Sequence, residues 1–189
     1  MKVTTRKITL NGIADIMFDR YAGDNKTELS VDKKMYFAAD GKTLILPSAN
    51  IVSFLTAQNT PSAPKRFLDK RQYKSTAQAL LSYTSISPFE IPILRNGKPI
   101  IFNGFDDDVD KKAGVYVHRS VARLDKGIPN PKIRPVVRSP WSINFELSIY
   151  ENDEFNEDLL YGLFEKGGIA IGLGTYRGVF GKFTIDKWK

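Results

Sequence analysis

The chain has 189 residues, 42% of them hydrophobic, with no cysteine, one histidine, and 28 Lys and Arg against 21 Asp and Glu for a formal net charge of +7. That length and apolar content suffice to bury one substantial core, so a single domain over residues 1–189 is expected; the lack of cysteine excludes disulfides, thiolate metal sites and thiol catalysis. No apolar run approaches the roughly 18 residues of a membrane span, and Lys2, Arg6, Lys7, Asp15, Asp19 and Arg20 stand near the N-terminus, so the expectation is a cytoplasmic protein with no membrane partner and, from its charge, a polyanionic one.

In chain order, Ile8, Leu10, Ala14, Ile16 and Phe18 share one parity and predict a single half-buried strand. Asp40-Gly41 turns into a short strand over residues 44–46, after which Pro47 and a capping Ser48 open a helix with Ile51, Phe54 and Leu55 on one face. A second helix is expected over 75–81, followed by "FEIPILRNGKPIIFN", a hairpin about Asn96-Gly97, residues that accept the positive φ of a type I′ turn. Residues 95–140 then read as an inserted hairpin and an extended basic, thumb-like segment carrying Pro129, Pro131, Pro135 and Pro140. Trp141, Ile143, Phe145, Leu147 and Ile149 alternate as a second strand. Phe155, Leu159, Leu163 and Phe164 repeat with helical spacing up to Gly167-Gly168, a predicted stop, and a last strand carries Phe183 and Ile185. This order predicts an α+β fold: a ferredoxin-like (RRM-like) core with an inserted β-hairpin or thumb.

Charge is polarised along the chain. Residues 111–138 hold eight Lys or Arg, Arg119, Arg123, Lys126, Lys132, Arg134 and Arg138 among them, against Asp125 alone, whereas residues 151–165 are strongly acidic. Then comes "GGIAIGLGTYRGVFGKF", six glycines in seventeen residues. It is not a dinucleotide fingerprint, because it runs from helix toward strand rather than from strand into helix. Nor is it a phosphate-binding P-loop, because Phe183 stands where Ser or Thr is required and Tyr176 where the leading Gly is required. What remains is a loop able to lie close against something, with Tyr176 and Arg177 projecting. A nucleic-acid backbone lying on Gly172, Gly174 and Gly178, beside Arg177, Phe180 and Lys182, meets that description; tight packing of the loop on a helix meets it equally. Lys and Arg suit phosphates, while Tyr116, Tyr176 and Phe180 are candidates for stacking on bases.

Other constellations are weaker. Asp106, Asp108 and Asp110 have calcium-loop spacing, but Lys111 replaces the required Gly and Val117 the closing Glu. His118 is the one histidine, which excludes a multi-histidine metal site within one chain. The basic run 65–74 suits RNA or an exposed loop equally.

A helix running into this glycine-rich segment in a basic α+β chain resembles the RAMP superfamily, the repeat-associated mysterious proteins of CRISPR systems. "KITLNGIADIMF" and "LSVDKKMYFAADGKTLILPSANIVSFLTA" are similar to the opening of the guide-RNA-binding backbone subunits of type III effector complexes. The resemblance covers about residues 6–57 and 134–187, with Ala49, Asn50, Val52 and Ser53 departing from the family's pattern after the proline. It implies an RNA-binding subunit of an antiviral effector ribonucleoprotein that grips single-stranded guide RNA, meets target RNA, and stacks with copies of itself and other effector subunits, its insertion acting as a thumb. It also implies a catalytic role for Asp32, with Mg2+ as its cofactor, in cleaving target RNA; binding itself requires no cofactor. Two rivals stay open: a structural or assembly protein of a phage or mobile element with a nucleic-acid-facing basic surface, and a metal-free CRISPR-RNA processing endoribonuclease with His118 as general base.

Overall fold

The computed structural model describes residues 2–24, 26–57, 63–64, 68–107, 112–123, 127, 129–153 and 155–189. Over the described residues it is a mixed α/β molecule with antiparallel sheets and three α-helices. The strands are β1 (Lys2–Gly12), β2 (Ile16–Met17), β3 (Ile45–Pro47), β4 (Thr84–Ser87), β5 (Glu90–Arg95), β6 (Lys98–Pro99), β7 (Val115–Arg123), β8 (Pro129–Val137), β9 (Trp141–Glu151) and β10 (Phe183–Trp188). The helices are α1 (Ser48–Thr56), α2 (Tyr73–Tyr83) and α3 (Glu157–Ala170).

The main sheet runs β10-β1-β9-β5-β3, with β4 also paired to β9 and β6 to β5. Alternation along β9 buries Trp141, Ile143, Phe145, Leu147 and Ile149 and turns Asn144 and Glu146 to solvent, as a sheet covered on one face requires. On the covered face, Phe54 of α1 meets Phe164 of α3 at 5.7 Å and Phe183 of β10 at 5.5 Å between ring centroids. Burial of each such ring contributes roughly 1.5–3 kcal/mol. The Asn156 side chain caps α3 by accepting from Leu159 N, and Glu157 accepts from Arg6 of β1 and Trp188 of β10, fixing the helix across both strands.

Several expected elements appear where the pattern placed them: β9, the Asn96-Gly97 turn with φ of 51° and 74°, and α1 with Ile51, Phe54 and Leu55 buried. Others differ. The apolar run from Ile8 to Phe18 is not one strand, because at Gly12 the chain passes beneath Trp141, whose indole fills the place of a side chain there and donates Nε1–H to the Ala14 carbonyl at 2.7 Å. β1 thus ends, and β2 joins a second sheet of order β2-β8-β7. Ser48 makes no side-chain cap; Pro47 occupies the N-cap and Ser48 N donates to the Phe89 carbonyl. Gly167-Gly168 does not stop α3, which continues to Ala170. Those two glycines let the helix approach its neighbours: a Cβ would lie 2.6 Å from the Phe54 ring at Gly167 and 2.6 Å from the Phe183 carbonyl at Gly168. Phe155 precedes the helix and is buried.

The proline-rich segment expected to be extended supplies β8 of the hairpin β7–β8. Pro129, Pro131 and Pro135 share one parity. On that parity the carbonyls of Ile133 and Pro135 are taken from the side away from β7, by Lys34 Nζ and Phe18 N. The missing N–H groups therefore face away from the β7 ladder and cost it nothing. No helix among the described residues is long and apolar enough to cross a membrane.

Candidate nucleic-acid interface

Pairing in the β7–β8 hairpin places side chains on two faces. His118 opposite Arg134 and Ser120 opposite Lys132 share one face, while Arg119 opposite Ile133 and Val121 opposite Pro131 share the other. The candidate cations divide by partner. Arg134 Nε donates to Asp19 at 2.7 Å with its side chain 15% exposed, and Arg138 Nε donates to the buried Asp106 carboxylate at 2.9 Å. Arg138 also lies over the Tyr116 ring, 4.3 Å from its centroid, and the Tyr116 hydroxyl donates to Asp15 Oδ2 at 3.0 Å. Burial, reinforced by the Asp15 acceptor, pushes this hydroxyl's pKa up to about 12. Arg134, Arg138 and Tyr116 thus join the hairpin base to the rest of the protein. Arg119 is exposed and Lys132 half-buried, and neither makes an ion pair among the described residues. Arg123 ends β7, its side chain lying outside the described residues along with Lys126, Asp108, Asp110, Lys111 and part of the 65–74 run.

The glycine-rich loop packs inward over most of its length. Gly172 and Gly174 are buried, and a Cβ on Gly174, where φ is 77°, would lie 2.4 Å from the Met17 carbonyl. On Gly172 it would meet the backbone of Gly181 at 2.6 Å. The space these glycines leave is filled by the protein's own chain rather than held open for a polymer. Arg177, expected to project, is turned back: Nε donates to the Gly174 carbonyl, Nη1 to the Ser53 carbonyl and Nη2 to Ser53 Oγ. Burial lowers its pKa from the usual arginine value. Gly174 N in turn donates to Asn50 Oδ1 at 2.9 Å. Asn50 and Ser53, two positions where the resemblance broke down, are therefore the clamp between α1 and the loop; so local a departure in sequence does not reveal its partner 124 residues away.

The outer part of the loop is different. Gly178 and Tyr176 are exposed, Lys182 is half-buried, and Phe180 is half-buried between the rings of His118 and Tyr176. The Lys182 carbonyl accepts from Ile13 N and Ala14 N. His118, Lys132, Phe180 and Tyr176 thus share the side of the hairpin that meets the loop, while Arg119 lies open on the opposite face.

Asp32 opens a 3-10 turn, Asp32–Lys34. The Ser30 hydroxyl and the backbone N–H groups of Asp32 and Lys33 donate to its carboxylate and hold its pKa below the usual value. Lys34 does not neutralise it. Its buried ammonium donates to the Ile133 carbonyl at 2.9 Å and lies 3.7 Å from Glu28, pinning the turn to β8.

No protein-family model and no curated protein matches the sequence. In three dimensions the chain is similar to a chain in the cryo-EM structure of the type III-B Cmr-beta bound to cognate target RNA, with a TM-score of 0.58 at 11% sequence identity. The match covers 100% of this chain and 60% of that one, so this chain spans well under the full length of its structural neighbour and shares with it a fold.

Proposed function

We propose that this chain is an RNA-binding subunit of a CRISPR-type effector ribonucleoprotein, acting in the cytoplasm, where it grips guide RNA and stacks with copies of itself and other effector subunits. The observation that carries the reading is the likeness in fold, over the whole of this chain, to a chain from an RNA-bound type III-B structure. We read the core as ferredoxin-like: with β4 and β5 together as the second strand, β1, β4/β5, β9 and β10 stand in the order 4-1-3-2, with α1 and α3 in the crossovers. The β7–β8 hairpin is then a thumb between the second and third strands. Arg119 and Lys132 supply its phosphate contacts, and counterion release supplies most of the affinity.

For target cleavage the chain offers Asp32. A single carboxylate engaged by Ser30 and by backbone N–H groups does not make a magnesium site, and no cluster of three or more His, Asp or Glu able to hold a metal ion occurs among the described residues. Were Asp32 to hold a magnesium ion, the ion's other ligands would have to come from RNA and water. In a verified assembly given complementary RNA and magnesium, loss of cleavage in Asp32→Ala with binding retained assigns the residue its role, and persistent cleavage removes it.

Native mass spectrometry with absorbance at 260 nm tests the main reading. Heterogeneous bound RNA in oligomers of the purified protein is the expected result. Nucleic-acid-free oligomers of defined mass point instead to an assembly protein.

A further inference from the structure

Tyr176 has a left-handed backbone, with φ of 53°, in a loop where every other positive-φ residue is glycine. For a bulky L-residue this conformation is disfavoured by contact between Cβ and the following carbonyl, and it persists only where the surroundings hold it. They do so here: Thr175 N donates to the Met17 carbonyl, Gly178 N to the Ile171 carbonyl, Phe180 N to the Tyr176 carbonyl and Gly181 N to the Asp15 carbonyl. The constraint does not serve burial, because Tyr176 is 53% exposed. Its ring lies 5.8 Å from Phe180, which meets His118 of β7 edge-on at 5.4 Å, so three rings bridge loop and hairpin with the outermost in solvent. On the hairpin face that carries His118, the next cross-strand pair holds Lys132.

Resting on the RNA-binding reading, we propose that Tyr176 is a nucleobase platform: an unpaired base stacks on its exposed face, Phe180 and His118 fix the ring from behind, and Lys132 takes a flanking phosphate. A cation beside a rigid aromatic matches the two faces of a single-stranded nucleotide, and stacking tolerates any base because each has a π-face. The strained backbone is then the cost of presenting the ring, a trade of stability for binding.

The test compares fluorescein-labelled mixed-sequence single-stranded RNA with an abasic strand of equal length, against wild type, Tyr176→Gly and Tyr176→Asn, two residues that accept positive φ. Both variants should melt no lower than wild type. Their affinity for the base-bearing strand should fall roughly 5- to 100-fold, while affinity for the abasic strand is unchanged. Wild-type affinity for the base-bearing strand in both variants, an equal loss on both strands, or a lower melting temperature in both variants would overturn the platform. Failure of wild type to bind either strand would instead overturn the RNA-binding reading beneath it.

Discussion

Arg177 and Ser53 are joined twice, Nη1 to the Ser53 carbonyl at 3.2 Å and Nη2 to Ser53 Oγ at 3.1 Å, so the arginine of the glycine-rich loop ties that loop to α1. A hydrogen bond to a charged group contributes about 1.5–3 kcal/mol. Arg177→Ala should therefore lower the melting temperature clearly while leaving the salt dependence of RNA binding as in wild type. Unaltered stability with a shallower salt slope would return Arg177 to the phosphate-binding role its sequence position suggests.

Gly174→Val should be among the most damaging single changes in the loop. The new Cβ meets the Met17 carbonyl at 2.4 Å on a backbone with φ of 77°. Left-handed strain and overpacking together cost on the order of 2–5 kcal/mol. Chemical denaturation measures the loss directly, and near-wild-type stability would show that the loop can retreat from Met17.

The basic residues of the hairpin should separate into two classes. Arg119→Glu with Lys132→Glu should weaken RNA binding by an order of magnitude or more with little change in melting temperature, since neither makes an ion pair among the described residues. Arg138→Glu removes the cationic partner of the buried Asp106 carboxylate and places a second anion beside it, and should destabilise by about 2–3 kcal/mol. Binding titrations beside thermal melts distinguish the classes. A melting loss in the first variant would assign those cations to the fold.

Alkaline unfolding should report on Tyr116. Its hydroxyl titrates near 12 in the folded protein, because of burial and its bond to Asp15, against about 10 when unfolded. A group whose folded pKa is raised stabilises fully below the unfolded value, and that contribution is lost as pH rises from about 10 through 12. Wild type should lose stability across this window more steeply than Tyr116→Phe. Parallel curves for the two proteins would mean that the Tyr116–Asp15 bond is not sustained in solution.

The legible parts of the fold were those where one local pattern met one environment. Trp141 to Ile149 alternate because one face of β9 meets the helices, and Asn96-Gly97 turns because both residues accept positive φ. Patterns failed where a distant side chain decided the outcome. Gly12 ends β1 because the Trp141 indole lies there, and Gly167-Gly168 continues α3 because Phe54 and Phe183 need the space. Pro129, Pro131 and Pro135 fit within a paired strand because their shared parity turns every missing N–H away from β7. At the candidate interface, charge clustering located the hairpin but could not separate Arg134 and Arg138, held by Asp19 and Asp106, from Arg119 and Lys132.

The most direct test of the central claim is a titration of purified, nucleic-acid-free protein with mixed-sequence single-stranded RNA over a series of salt concentrations. Neutralising about five phosphates predicts a fall of log K with log salt of slope about −3 to −4. A flat salt response, or no binding at the lowest salt, would contradict it.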